Sequence, residues 1–143
     1  MWVPADTKAL ATLWFRAHRR FDAVFRAMEG DVPSPTQLEL LHLLAEVGTL
    51  PTMEAAARLG LAGATLARAV DAAHRRGWVE KLRDPQDRRV VWLRATPEGE
   101  SARDSLDRAL ADKLGRLTEG LSAADLLSLE RVLERVAAGE AES

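Results

Sequence analysis

The chain contains no cysteine, which excludes disulfides, thiolate metal ligation and thiol-based redox sensing. Histidine is scarce: only His18, His42 and His74 are present. A metal centre needs three or four converging ligands, so no metal and no cofactor is expected. No apolar run approaches the roughly 18 residues needed to cross a membrane. The opening M-W-V-P-A-D lacks the basic and apolar regions of a signal peptide, so the expected location is the cytoplasm and no membrane partner is expected. There is no phosphate-cradling Gly loop, no H-E-x-x-H and no convincing Ser/His/Asp order. The carboxylate pairs Asp104/Asp107 and Glu130/Glu134 fall among Lys and Arg on polar helical faces, not in positions that would bury an acid–base dyad. An enzyme is not expected.

What is present is a basic centre. The 143 residues carry a net charge of −2, which by itself argues against a nucleic-acid partner. The distribution reverses that argument. Residues 61–97 hold eight basic and four acidic groups, a balance of +4, whereas residues 1–60 balance at −1 and residues 98–143 at −5. A basic segment between a neutral front and an acidic tail is expected where one face meets phosphate.

That basic segment follows a helical pair. Two short helical patterns meet at Leu59-Gly60-Leu61, and Gly77 ends the second, about Gly63–Arg76. Small residues at Ala56, Gly60 and Ala69, with Leu66 beside them, allow the close crossing of a helix-turn-helix, and Val70 and Ala73 should face the core. Two strand-like runs follow, Trp78–Leu82 and Val90–Arg94, joined by the charged loop Asp84–Arg89. Helix, turn, helix and two-stranded ribbon together read as a winged helix-turn-helix.

The flanks read as helices. Leu10, Leu13, Trp14, Ala17, Phe21, Val24, Phe25 and Met28 recur at helical spacing, after a cap at Asp6 or Thr7 and before a stop at Gly30-Asp31. Such a helix, roughly 33 Å long at 1.5 Å per residue, needs a partner for its stripe, and a second copy is the obvious one. Ser34-Pro35-Thr36-Gln37 spells a capping box with proline at the first helical position. Thr49-Leu50-Pro51 is a short connector with one strand residue that could pair with the wing, and Thr52 should cap the next helix. Thr96-Pro97 starts a fifth helix and Ser122 a sixth, both with apolar stripes.

The runs L-G-L-x-x-x-T-L-x-R-x-V-D (Leu59–Asp71), R-R-G-W-V-E-K (Arg75–Lys81) and D-P-Q-D-R-R-V-V-W-L-R-A-T-P-E-G (Asp84–Gly99) resemble the MarR family of bacterial transcriptional regulators, as does P-T-Q-L-E-L-L at Pro35–Leu41. The resemblance covers nearly the whole chain. The wing motif, with T-P-E-G at its fixed distance, is the specific part. It implies a mainly α fold of six helices with a small β-wing, divided into an N-terminal dimerisation helix (1–33), a DNA-binding lobe (34–97) and C-terminal dimerisation helices (98–143). The implied partners are double-stranded DNA, a second copy forming a homodimer, and a small aromatic or phenolic effector. Recognition helices would enter successive major grooves of a pseudo-palindrome, and wing arginines would reach the flanking minor grooves. Many members of the family are repressors released from DNA by such an effector.

On this chain the implied DNA-binding residues are Gly63, Ala64, Thr65, Ala67 and Arg68 on the recognition helix and Arg88 and Arg89 on the wing. Family recognition helices often open with hydroxyl or amide residues. Here only Thr65 and Arg68 can hydrogen-bond a base edge, while Ala64 and Ala67 can touch a thymine methyl. That departure favours weaker sequence discrimination, or an alternative in which a degenerate winged helix serves protein interaction. One wing arginine is expected on DNA and the other in a salt bridge with Asp84, Asp87 or Asp71. Arg68 should face DNA, or else pair with Asp71 or Asp87. Trp14 and His18, one turn apart, could line an effector cleft with His42, against the plainer expectation of core or interface packing.

Overall fold

The computed structural model describes residues 7–139; the suggested cap Asp6 lies outside them. Six helices and three short strands follow in the order α1 (Thr7–Arg26), α2 (Pro35–Val47), β1 (Thr49–Pro51), α3 (Thr52–Leu59), α4 (Gly63–Arg75), β2 (Val79–Arg83), β3 (Val91–Ala95), α5 (Pro97–Leu117) and α6 (Ala123–Ala137). The chain divides into two compact units, Met1–Leu110 and Ala111–Ser143.

Local chemistry sets most of these boundaries. Ser34 accepts a hydrogen bond from the Gln37 N–H at 3.2 Å, and the Gln37 side chain accepts from the Ser34 N–H at 2.9 Å, so the capping box forms as expected. The Gln37 Nε2 also donates to the Ala69 carbonyl at 3.2 Å. One buried amide thus both caps α2 and ties it to α4. The first helix ends at Arg26, earlier than Gly30-Asp31 suggested. At the α3–α4 turn Gly60 adopts φ 65°, the left-handed conformation that glycine enters without Cβ strain.

Thr52 does not cap α3. Pro51 occupies the cap position and makes no side-chain cap bond. The Thr52 hydroxyl instead donates to the Val91 carbonyl at 3.0 Å, fastening the start of α3 to β3. A cap would use the hydroxyl oxygen as an acceptor for a helix N–H; here the hydroxyl is turned to a strand carbonyl and serves as a donor.

The ribbon has a third strand. β3 lies between β1 and β2, antiparallel to both, in the order β1-β3-β2. All three residues of β1 pair, with Leu50 opposite Leu93, and Lys81 faces Leu93 from β2. Leu50 and Leu93 are buried; a pair of apolar residues in register supplies what a three-residue edge strand lacks in length. Opposite Arg94, Glu80 accepts its guanidinium at 2.6 and 3.1 Å.

The main core joins Leu40, Leu41 and Leu44 of α2, Ala55 and Ala56 of α3, Leu66, Val70 and Ala73 of α4, and the sheet residues Leu50, Val79 and Leu93, with Trp78 beside them. A second cluster packs Val24, Phe25, Met28 and Val32 against Leu38, Leu106 and Leu110. The N-terminal part of α1 behaves differently: Leu10, Leu13, Trp14 and Phe15 are more than half exposed. In the second unit α6 buries no residue, and Leu129, Val132, Leu133 and Val136 stand open. Its start is well built, for Ser122 and Asp125 form a reciprocal capping box.

Candidate nucleic-acid interface

The buried side of α4 decides what its other side can do. Leu66, Val70 and Ala73 point into the core. At 100° per residue, Ala64 and Arg68 then point nearly straight outward, with Thr65 and Ala67 on either flank. All four are exposed, and Gly63 is half-buried at the helix start. Asp71 of the same helix is taken by Lys81 of β2, an ion pair that holds its carboxyl below the ordinary carboxylate range. Arg68 is therefore left without an ion pair among the described residues.

The wing is organised by one carboxylate. Asp84 closes β2 and accepts three hydrogen bonds: from the N–H groups of Gln86 at 2.8 Å and Asp87 at 3.1 Å, and from the Trp92 indole N–H at 3.0 Å. These donors lower its pKa, the Trp92 bond most. Asp87 in turn holds Arg89 through a two-point contact at 3.0 and 3.1 Å and accepts the Arg89 backbone N–H, and it too titrates low. Arg89 nevertheless leaves 90% of its side chain exposed, so the pair positions a guanidinium that still faces solvent. Arg88 makes no ion pair among the described residues. One arginine is thus braced and its neighbour is free, and the brace is Asp87.

Sequence reasoning missed Asp84 as the keystone of the wing. Its position before Pro85 signalled a turn, but its second oxygen is used by Trp92, a partner set by strand register. Replacing Asp84 with alanine is expected to remove the Trp92 indole N–H resonance from its hydrogen-bonded position and to weaken DNA binding. The pH dependence has a definite sign. Depressed carboxylate pKa values contribute stability that is fully present above the ordinary carboxylate range and is lost as pH falls through the depressed values. The same resonance should therefore hold its position down to about pH 4 and move only below it.

A cleft of about 350 Å³ opens between α3, α4 and the wing, bordered by Met53, Ala67, Val70, Asp71, Lys81 and Arg89. It brings the recognition helix and the braced wing arginine to one opening. The other sequence-derived candidates lie elsewhere. Trp14 and His18 sit on the exposed part of α1, where His18 pairs with Asp22 at 3.3 Å. His42 of α2 pairs with Asp107 of α5 at 3.0 Å. No hydrogen bond or ion pair joins His42 to Trp14 or His18 among the described residues. His74 meets the Val79 carbonyl through Nδ1 at 2.9 Å. Among the described residues no three His, Asp or Glu side chains converge as a metal site would require, and no helix is long and apolar enough to cross a membrane.

Comparison with known proteins places this architecture. The MarR family model matches residues 33–90, the segment from the start of α2 to the wing. The multiple antibiotic resistance protein MarR of Salmonella typhimurium is 28% identical over 102 residues, 71% of each chain. Among solved structures, the PcaV transcriptional regulator of Streptomyces coelicolor in complex with its natural ligand superposes with a TM-score of 0.74 at 27% identity, covering 99% of this chain and 98% of that one. A mutant MarR from E. coli complexed with operator DNA shares the fold, with a TM-score of 0.71 at 22% identity over 90% and 93% of the two chains. The wing, the helix pair before it and the helices on both sides resemble those of these transcriptional regulators, and residues 33–90 match the model of the MarR family.

Proposed function

We propose that this regulator acts as a homodimeric, sequence-specific repressor, with Gly63, Ala64, Thr65, Ala67 and Arg68 of α4 facing the major groove and Arg88 and Arg89 facing the flanking minor groove. The observation that carries this reading is the shared cleft: Ala67 of the recognition helix and Arg89 of the wing border the same opening, and Arg68, next to Ala67 on α4, has no ion pair among the described residues. Cations on the recognition helix and on the wing suit two neighbouring stretches of phosphate. The MarR mutant complexed with operator DNA and PcaV complexed with its natural ligand motivate the same two partners for this chain.

The test is a fluorescence-anisotropy titration against DNA upstream of the protein's own coding sequence, with unrelated DNA as control. Tight binding to the upstream duplex alone supports the reading. Arg68→Ala should weaken that binding about tenfold, within the roughly 1–3 kcal/mol of a good base contact. Unchanged affinity in this variant would show that α4 does not face the DNA.

The dimer follows from two open stripes. Leu10, Leu13 and Trp14 on α1, and Leu129, Leu133 and Val136 on α6, are each at least 40% exposed, and apolar surface of that extent on regular helices marks an interface. On this reading residues 1–33 and 98–143 form the dimer and residues 34–97 bind DNA, a division the open stripes support. Sedimentation at micromolar concentration should give twice the mass of one chain, and Leu133→Asp should bring it to one. Release from DNA is assigned to a small aromatic or phenolic acid, for which Trp14, His18 and His42 offer a ring face and N–H donors.

A further inference from the structure

The outward face of α4 is poor in hydrogen-bonding groups, and the structure adds to that poverty. Ala64 points straight out and Ala67 borders the cleft beside it. Met53, the second residue of α3, is 72% exposed. Its thioether lies over the start of α4, so that a Cβ placed on Gly63 would touch its Sδ at 3.6 Å and its Cε at 3.7 Å. Met53 and Ala67 line the same cleft. The result is a small apolar surface of Met53, Gly63, Ala64 and Ala67, flanked by Thr65 and Arg68 and rimmed by the cationic wing.

Resting on the DNA-binding reading above, we propose that this surface reads thymine C5-methyl groups, so that Met53, Ala64 and Ala67 set sequence preference by apolar contact while Thr65 and Arg68 supply the polar readout. The argument is one of matching. Apart from small C–H groups such as the cytosine C5–H, which lack the methyl's apolar surface, every other group on a major-groove base edge is a donor or an acceptor. A donor or acceptor pressed against Ala64 or Met53 loses its water and gains no partner, which is unfavourable. A thymine methyl in the same place loses water with benefit. The apolar surface therefore rejects polar edges and accepts thymine, so an alanine-rich recognition helix is compatible with specificity. Met53 adds reach from a different helix, and its flexible thioether adjusts to the methyl's position.

The experiment compares one duplex in two chemical forms. A duplex enriched from a randomised pool by the full-length protein is prepared with thymidine or with deoxyuridine throughout, which deletes the methyl groups and leaves all hydrogen-bonding edges in place. The deoxyuridine form should bind about fourfold more weakly for each methyl contacted, as expected for one buried carbon. Unrelated duplex DNA should show no such difference. In Met53→Ala and in Ala64→Gly, both at exposed positions, the ratio between the two forms should shrink. Equal affinity for the two forms of an enriched duplex would overturn methyl readout while leaving DNA binding intact. So would an equal loss on unrelated DNA, or a ratio unchanged in both variants. Failure to enrich any duplex would instead overturn the DNA-binding reading, and this inference with it.

Discussion

Replacing Gly99 with alanine is expected to lower the unfolding free energy by about 3 kcal/mol, the upper range for forcing one methyl into a packed site, and the melting temperature by about 10 °C. Gly99 lies in the first turn of α5, directly over the Trp78 carbonyl. A Cβ there would overlap the carbonyl oxygen and sit 2.9 Å from its carbon and 3.1 Å from the Trp78 Cα. None of these atoms can give way. The oxygen accepts the Thr96 N–H at 3.0 Å, Trp78 is buried, and the Gly99 N–H is held by the Thr96 hydroxyl at 3.0 Å. The conflict is between backbones, so it cannot be relieved by a rotamer change. Gly115 provides the control. It lies in the same helix with open space around it, and alanine there should raise stability by up to about 1 kcal/mol through better helix propensity. Circular dichroism melts of the two variants would show opposite signs. Equal shifts would mean that α5 does not approach the wing as closely as the structure shows.

Replacing Arg88 and Arg89 together with alanine is expected to weaken DNA binding about a hundredfold at low salt. The cause is lost phosphate and minor-groove contact, so the salt dependence carries the diagnosis. Each phosphate neutralised contributes about 0.9 to the slope of log affinity against log salt. A homodimer presents four of these arginines, and the slope should become shallower by up to about 3.6. The single variants should differ. Arg89 is braced by Asp87 at two points and on the proposed reading would meet DNA with little further ordering, whereas Arg88 would have to be ordered on binding. Arg89→Ala should therefore be the more damaging of the two, and Asp87→Ala should reproduce part of its loss. A double variant that binds weakly but keeps the original slope would remove the wing from the phosphate contacts.

Much of this molecule was legible from the chain. The capping box at Ser34, the cap at Ser122, the glycine turn at Gly60 and the T-P-E-G start of α5 are local: each depends on residues within four positions of one another, so spacing reveals them. The core face of α4, with Leu66, Val70 and Ala73, followed from helical periodicity, which sequence displays directly. The family resemblance rested on the same local motifs and was confirmed over residues 33–90.

What escaped were the second uses of side chains that sequence had already assigned one use. Thr52 looked like a cap and became a tether to Val91; Gln37 capped a helix and also bridged to Ala69; Asp84 made a turn and also held Trp92. Likewise Lys81, not an arginine, took Asp71, which left Arg68 open. The chain alone determined which helices and strands form, their order and most of their ends, because caps, turns and periodicity act over a few residues. Tertiary structure decided which charges are spent on one another and which remain for a partner, because ion pairs and shared donors join residues eight to thirty-nine positions apart, and nothing local ranks the competing partners.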